Sequence, residues 1–170
     1  KKNDTFILCE PDSEARKDLV ENLNVLKRLF KNIDFRCIYE PIGDGKNVVK
    51  TPTIYGHPMF LSQTNDNKNN QKENFFQRSL TLDELVKKNN IKPSFIKIDV
   101  EGTEYNILQG MVGILKTYKP LIMIEKHPTL IPKDVSISDI DNFLTNSGYR
   151  LEKEIYKDDI AITEFWKKYN

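Results

Sequence analysis

The pattern of apolar and polar residues divides the chain into short strands that alternate with amphipathic helices. Residues 5–9 form a continuous apolar run, which is typical of a strand buried on both faces of a sheet. After residue 11, apolar side chains recur about every four positions up to Phe30, and this spacing predicts a helix that Asp12 or Ser13 can cap. The chain therefore opens with a strand followed by a helix.

Segments of the same two kinds continue to the end of the chain. The sequence predicts strands at residues 33–39, 95–100, 121–125, 149–156 and 160–165. It predicts helices after the capping box of Thr81 and Glu84, over residues 107–115 and over residues 138–146. This alternation predicts an α/β fold with a mostly parallel sheet, whereas the short joint at residues 157–159 requires the last two strands to be antiparallel.

The segment between residues 48 and 74 interrupts this pattern. Residues 48–61 contain only short β-prone pieces, and His57 among them is interpreted as a surface turn residue. Residues 63–74 are almost wholly polar and rich in asparagine, so we expect a mobile loop there. The chain length of 170 residues otherwise suits one domain over residues 1–170.

The composition excludes several classes of partner. Lys and Arg number 26 against 25 Asp and Glu, so the net charge of +1 offers no field that would attract nucleic acid or an anionic membrane. No apolar run approaches the roughly 20 residues that a bilayer span needs. We therefore expect a soluble, cytoplasmic protein without nucleic-acid or membrane partners.

The cysteine and histidine residues do not have the spacing of a metal site. Cys9 and Cys37 lie singly in strand-like runs, where we expect buried, reduced thiols. With only His57 and His127 besides them, no zinc-binding pattern is present and no metal is expected.

Acidic residues gather where the strand at residues 95–100 ends. Asp99, Glu101 and Glu104 fall within six residues, and carboxylates so close together repel one another unless a cation or hydrogen-bond donors intervene. Thr103 and Glu104 suit the start of the next helix, so Glu104 is interpreted mainly as a helix-capping residue. Asp99 and Glu101 are retained as site candidates.

Two further acids follow earlier predicted strands. Glu10 ends the first strand, where a carboxylate can accept hydrogen bonds from both hydroxyls of a ribose. Asp44 follows the second strand, where an acceptor can meet an adenine amino group. The alternatives are a solvated residue near the helix start for Glu10 and an ordinary turn aspartate for Asp44.

His127 follows the strand at residues 121–125, at the edge of the sheet that also carries Asp99. An imidazole in this place can act as a general base near neutral pH. The alternative is a loop histidine that packs against Pro128.

Residues 80–128 carry a family resemblance. The sequence Ser-Leu-Thr-Leu-Asp-Glu-Leu at residues 79–85, the run Ile-Lys-Ile-Asp-Val-Glu-Gly at residues 96–102 and a strand that ends in Glu-Lys-His-Pro resemble the FkbM-type methyltransferases in the order of that family. Residues 6–45 are similar more weakly. The resemblance implies a Rossmann-like class I methyltransferase sheet, mostly parallel with an antiparallel C-terminal strand pair.

One family feature is missing from the chain. Family members begin with a strand and a glycine-rich loop that approaches the methionine part of the cofactor, and the first strand here matches the second strand of the family. Three explanations are open: the residues are part of a longer protein, another chain fills the gap, or the domain has lost cofactor binding. We favour the first.

The resemblance implies transfer of a methyl group from S-adenosylmethionine to a hydroxyl of a small or carbohydrate-like acceptor. In that case Glu10 binds the ribose, Asp44 the adenine, and Asp99 lies beside the positive end of the cofactor. Glu101 or His127 is the base, and the sequence does not decide between them. The rivals are a non-catalytic scaffold that has lost the cofactor site and a metal-dependent hydrolase that uses Asp99, Glu101 and His127. Neither the acceptor nor the oligomeric state is predicted.

Overall fold

The computed structural model describes residues 4–12, 15–50, 59–60 and 75–169, with backbone alone at 47–50, 59–60 and 75–77. The predicted loop at 63–74, Ser13 and His57 lie outside these residues. The elements in chain order are β1 (Asp4–Cys9), α1 (Ala15–Leu29), β2 (Ile33–Ile38), β3 (Asn47–Lys50), β4 (Met59–Phe60), β5 (Phe75–Arg78), α2 (Leu82–Asn89), β6 (Phe95–Asp99), α3 (Glu104–Gln109), α4 (Val112–Thr117), β7 (Leu121–Lys126), α5 (Ile137–Asn146), β8 (Tyr149–Lys157) and β9 (Ile162–Lys168).

The chain forms two compact units. The first unit comprises Lys1–Ile42 and Lys46–Ser79, and the second comprises Gly43–Gly45 and Leu80–Asn170. The single domain over residues 1–170 stays a prediction.

The first unit contains two small sheets. β1 and β2 are parallel, as predicted, and β3 lies between β4 and β5 in an antiparallel sheet. Asp12 caps α1, because its Oδ1 accepts a hydrogen bond from the Ala15 N–H at 2.7 Å.

The prediction that residues 5–9 are buried on both faces is wrong, although burial of the thiol raises the pKa of Cys9 to about 12. Phe6 is 53% exposed, although its ring lies 5.8 Å from that of Phe35. Cys9 is exposed and Cys37 half-buried, and both are free. A sheet of two strands offers few neighbouring side chains, so it leaves much of β1 uncovered within the described part of this unit.

The second unit is built on a four-stranded sheet in the order β6-β7-β9-β8. β6 and β7 are parallel, whereas β9 is antiparallel to both of its neighbours, which confirms the antiparallel closing pair. The core side chains come from this sheet and the helices around it. The fully buried apolar residues include Leu108, Met111, Ile114, Leu115, Ile122, Ile124, Ile140 and Leu144.

The single helix predicted over residues 107–115 is instead two helices, α3 and α4, which meet at Gly110. A Cβ on Gly110 would lie 2.0 Å from the Gly43 carbonyl oxygen, so only glycine fits this turn. The Asp83 carboxylate then accepts hydrogen bonds from the Gly113 and Ile114 N–H groups, both at 2.8 Å. Asp83 therefore holds the start of α4 against α2.

Among the described residues, no helix is both long enough and apolar enough to cross a bilayer.

Candidate active site

The parallel register of β6 and β7 brings polar residues together at the carboxyl ends of these two strands. Asp99, the last residue of β6, is the direct partner of Glu125 on β7. His127 follows β7 by one residue. Because both strands run in the same direction, all three side chains emerge at one edge of the sheet. We call these three residues the edge cluster.

Glu104 holds one side of the His127 ring. Its Oε1 lies 2.8 Å from Nδ1 of His127, and Glu104 is 0% exposed. An ionised carboxylate can only accept hydrogen bonds, so we assign the ring proton of this contact to Nδ1 of His127. The Gly102 N–H also donates to Oε1 at 2.9 Å, whereas Oε2 has no hydrogen-bond partner among the described residues.

This contact corrects the interpretation of Glu104 as a helix-capping residue. The N-cap of α3 is Thr103, which makes no side-chain capping bond. Glu104 is in the first turn of α3, but its carboxylate is buried against His127. An acidic residue in the first turn of a helix is ordinary. Nothing in the sequence therefore indicates that Glu104 is completely buried.

The other ring nitrogen of His127 faces the two strand-end carboxylates. Nε2 lies 3.6 Å from Oε1 of Glu125 and 4.0 Å from Oδ1 of Asp99. The three donor atoms of the edge cluster all lie within 4.8 Å of one another. The second oxygen of Asp99 is paired with Nζ of Lys97 at 2.8 Å. One imidazole is thus surrounded by three carboxylates, counting Glu104.

The turn between β6 and α3 adopts left-handed backbone conformations. Glu101, whose side chain is exposed, has φ 50°, and Gly102 has φ 100°. A Cβ on Gly102 would lie 2.3 Å from the carbonyl oxygen of Leu130, in the segment after His127. A non-glycine residue with positive φ is uncommon, and such residues concentrate at functional sites.

The remaining two candidates lie in different units. Asp44 is half-buried in the second unit, and its Oδ2 accepts a hydrogen bond from Nδ2 of Asn106 at 3.4 Å. Glu10 is half-buried in the first unit, where its Oε1 accepts a hydrogen bond from the Asp12 N–H at 2.8 Å. The second unit therefore contains Asp44, Asp99, Glu101 and His127, and only Asp99 and His127 of these belong to the edge cluster.

A buried ion-pair network surrounds Lys126, which is the last residue of β7 and directly precedes His127. Nζ of Lys126, whose side chain is 1% exposed, lies 2.7 Å from Glu164 on β9 and 2.8 Å from Asp141 on α5. Glu164 also accepts a hydrogen bond from Nε1 of Trp166 at 2.7 Å. The network ties the end of β7 to two neighbouring elements.

Comparison with known proteins identifies the family of the chain. The model of the family described as Methyltransferase FkbM domain matches residues 2–151. The chain belongs to the FkbM methyltransferase family. This confirms the resemblance that residues 80–128 carry.

Two relatives place this FkbM chain among longer proteins. The hexuronic acid methyltransferase AglP of Haloferax volcanii is 37% identical over 60 residues, which are 35% of this chain and 25% of that protein. A crystal structure of the methyltransferase FkbM from Methylobacillus flagellatus KT matches with a TM-score of 0.57 and 18% identity, over 94% of this chain and 36% of that one. The chain therefore spans about a quarter to a third of the length of these relatives.

The structural match confirms the fold of the FkbM chain. The molecule is α/β, with parallel strand pairs and antiparallel strands at the end, and it shares this architecture with a solved FkbM protein. At 18% identity the likeness concerns the fold. The roles of the individual site residues therefore remain proposals.

Proposed function

We propose that the protein transfers a methyl group from S-adenosylmethionine to a hydroxyl oxygen of a small or carbohydrate-like acceptor. The observation that carries this proposal is the edge cluster of Asp99, Glu125 and His127 in a chain of the FkbM family. Ligands of open α/β sheets bind at the carboxyl ends of the strands, which is where the cluster lies.

The class of acceptor is supported by one relative. The curated protein that matches part of the chain is named a hexuronic acid methyltransferase. A sugar acid offers several hydroxyl groups, and a hydroxyl acceptor needs polar side chains that orient it and receive its proton. The edge cluster supplies such groups.

Each of the two units contains acidic residues of the kind that the cofactor of the family needs. When bound, S-adenosylmethionine supplies a methyl group activated by a positively charged sulfonium. Glu10 and Asp44 are carboxylates suited to the ribose hydroxyls and the adenine amino group, and Asp99 is an anion suited to a cationic group. The hydrogen bond from the Asp12 N–H fixes the Glu10 carboxylate after the end of β1.

The protein must also remove the proton of the acceptor hydroxyl as the new oxygen–carbon bond forms. Glu101 and His127 are the two candidates. Glu101 is exposed on the left-handed turn after β6, and His127 is buried beside Glu104. Both follow the carboxyl end of a strand, which is the edge that the proposal assigns to the acceptor.

The alternative is a non-catalytic scaffold with a methyltransferase fold. It corresponds to one of the three explanations for the unmatched glycine-rich loop, namely that the domain has lost cofactor binding. The two proposals differ in whether these residues bind the cofactor, so a binding measurement separates them.

Isothermal titration with S-adenosylhomocysteine, the demethylated form of the cofactor, tests the proposal. We expect heat of binding for the chain, and at least a ten-fold weaker affinity for Glu10→Ala, because a carboxylate with two ribose hydrogen bonds contributes about 1.5–3 kcal/mol for each. Glu21→Ala, an exposed acid on α1, is the matched control and should bind as the parent chain does. Absence of binding both in the parent chain and in a form extended at its N-terminus, or equal binding in Glu10→Ala, would contradict the proposed donor site.

A further inference from the structure

We propose that the edge cluster binds a divalent metal ion through Oδ1 of Asp99, Oε1 of Glu125 and Nε2 of His127. The spacing of cysteine and histidine predicted no metal, and only the rival hydrolase hypothesis used Asp99, Glu101 and His127 as metal ligands. A site made of two carboxylates from neighbouring strands and one histidine leaves no such spacing in the sequence. The binding itself is independent of the proposed function, whereas its role in the reaction rests on that proposal.

The positions of the three atoms suit one ion. Carboxylate and imidazole ligands lie about 2.0–2.2 Å from ions such as Zn²⁺ and Mg²⁺, so two ligand atoms on one ion are roughly 3 to 4.4 Å apart. Nε2 of His127 is 3.6 Å from Glu125 and 4.0 Å from Asp99, and the whole group falls within 4.8 Å. Binding therefore requires only small side-chain movements.

The orientation of His127 is the second observation. Histidine ligands of metals nearly always donate the proton of their other ring nitrogen to a carboxylate, a carbonyl or water, which fixes the tautomer. Nδ1 of His127 donates to the fully buried Glu104 in this way, and Nε2 is left facing Asp99 and Glu125. The lone pair of the imidazole is thereby directed to the same place as the two carboxylate oxygens.

The charge around His127 points to a cation. Asp99, Glu104 and Glu125 bring three carboxylates to one imidazole, and Lys97 pairs with an outer oxygen of Asp99. Oε2 of Glu104 is buried and has no hydrogen-bond partner among the described residues. A buried carboxylate oxygen in this state is costly, and a positive ion on the other side of the imidazole reduces that cost.

A free base explains this arrangement less well. A base needs the Nε2 lone pair of His127 to be available, but a lone pair that faces two carboxylate oxygens is repelled by them. A metal ion that accepts electron pairs from all three atoms removes this repulsion and leaves further coordination positions open.

The ligand set indicates which ions and acceptors suit the site. Two carboxylates with one imidazole fit Mn²⁺ or Zn²⁺, since carboxylates suit Mn²⁺ and imidazole suits Zn²⁺. An acceptor with two neighbouring oxygens, such as a sugar diol or a hydroxy acid, can fill the open positions. A metal ion held by these three residues would lower the pKa of an acceptor hydroxyl bound to it. With His127 as a ligand, Glu101 is the remaining candidate to take the proton as the oxygen–methyl bond forms and the sulfur–methyl bond of the donor breaks.

Titration of the metal-free chain with Mn²⁺, followed by electron paramagnetic resonance of the unbound ion, tests the inference without any cofactor. We expect one site, weakened about ten-fold or more in Asp99→Asn, in Glu125→Gln and in His127→Gln, and about ten-fold in the outer variant Glu104→Gln. Glu152→Gln is the control, because Glu152 lies far from the edge cluster. Its neighbour Leu151 on β8 pairs with Trp166 on β9, and Trp166 pairs with Ile122 near the start of β7, at the opposite end of the sheet. Its affinity should equal that of the parent chain.

A second measurement does not depend on folded variants. The bound Mn²⁺ should give a spin-echo modulation from a directly coordinated ¹⁴N nucleus, which carboxylates alone cannot produce. Absence of Mn²⁺ binding, or binding that all four variants leave unchanged, overturns the metal site. Binding of S-adenosylhomocysteine without binding of Mn²⁺ would leave the methyltransferase proposal intact and overturn the metal site. Binding of Mn²⁺ without binding of S-adenosylhomocysteine would support the metal site and contradict the proposed donor site.

Discussion

Glu104 and His127 form a buried pair, with Oε1 of the acid 2.8 Å from Nδ1 of the ring. Glu104 lies at the start of α3 and His127 just after β7, so the pair joins two elements that are 23 residues apart in sequence. The same Oε1 accepts the Gly102 N–H, which adds the turn after β6 to the contact. One carboxylate therefore fixes the backbone and the histidine of the candidate site together.

Removing this carboxylate should destabilise the fold more than neutralising it. Glu104→Ala leaves the Gly102 N–H and Nδ1 of His127 without an acceptor, and each unpaired buried donor costs about 1–3 kcal/mol. Glu104→Gln keeps the volume and an accepting oxygen, and it removes a buried charge. Urea unfolding should therefore place Glu104→Gln closer to the parent chain than Glu104→Ala, and equal losses for the two variants would contradict the role given to Oε1.

Gly102 should be the glycine least tolerant of a side chain at the candidate site. Its φ is 100°, and a Cβ would lie 2.3 Å from the Leu130 carbonyl oxygen. Gly102→Ala combines backbone strain of about 1–3 kcal/mol with a clash against backbone atoms that cannot rotate away. The expected result is a clear loss of thermal stability together with weaker Mn²⁺ binding.

Gly148 supplies the matched control for this substitution. Its φ is 83°, but the nearest atom to its Cβ would be Cε of Lys168 at 3.2 Å, the far end of a flexible side chain. Gly148→Ala should therefore cost only the conformational part, about 1–2 kcal/mol, and should leave Mn²⁺ binding unchanged. If Gly148→Ala proves as costly as Gly102→Ala, the close approach of Leu130 is not the cause.

The buried ion pair between Lys126 and Glu164 should show strong energetic coupling. Lys126→Met leaves the Glu164 carboxylate buried without its cation, although Trp166 still donates to it, and breaking a buried pair costs about 3–5 kcal/mol. In the double variant Lys126→Met/Glu164→Gln no buried charge is left unpaired, because the side chain of the other partner, Asp141, is 38% exposed to solvent. We therefore expect part of the lost free energy of unfolding to return. The double-mutant cycle in urea measures this coupling, and simple additivity of the two changes would refute it.

An exposed pair on the same sheet calibrates that measurement. Lys157 and Glu154 are 3.7 Å apart with side chains 60% and 43% exposed. Solvent screens such a pair, so Lys157→Met should change the free energy of unfolding by less than about 1 kcal/mol. A larger change would mean that loss of a lysine, rather than burial of its partner, explains the effect of Lys126→Met.

Features that depend on neighbouring residues were predictable from the sequence. The capping box of Thr81 and Glu84 is present as predicted, and Asn90 ends α2 in a left-handed conformation. Gly148 follows α5 with a positive φ, as its place after the apolar stripe indicated. These signals lie within a few residues of each other, so no knowledge of the tertiary fold is needed to read them.

Features that depend on register or on distant contacts were not predictable. Glu125 was seen at a strand end, but its position beside Asp99 follows from the parallel pairing of β6 with β7. The break between α3 and α4 depends on the approach of Gly43 to Gly110, across more than sixty residues of sequence. The burial of Glu104 likewise needs His127 to be in place. The sequence therefore predicts which residues stand at the end of a strand, but not which of them the folded chain brings together.

Tyr149 should make the second unit sensitive to alkaline pH. Its side chain is 1% exposed, its hydroxyl donates to the Pro120 carbonyl at 3.1 Å, and burial raises the pKa of Tyr149 from 10.0 to about 12. The folded state thus retains a proton that the unfolded state loses at lower pH. The stabilisation is complete below pH 10 and is lost as the pH rises from 10 to about 12, by up to about 1.4 kcal/mol for each pH unit.

Tyr149→Phe should cost about 1 kcal/mol at neutral pH through the lost hydrogen bond, yet its urea midpoint should fall less steeply than that of the parent chain across this window. Since every other titrating group is common to both proteins, parallel curves for the two would show that the buried phenol is not responsible.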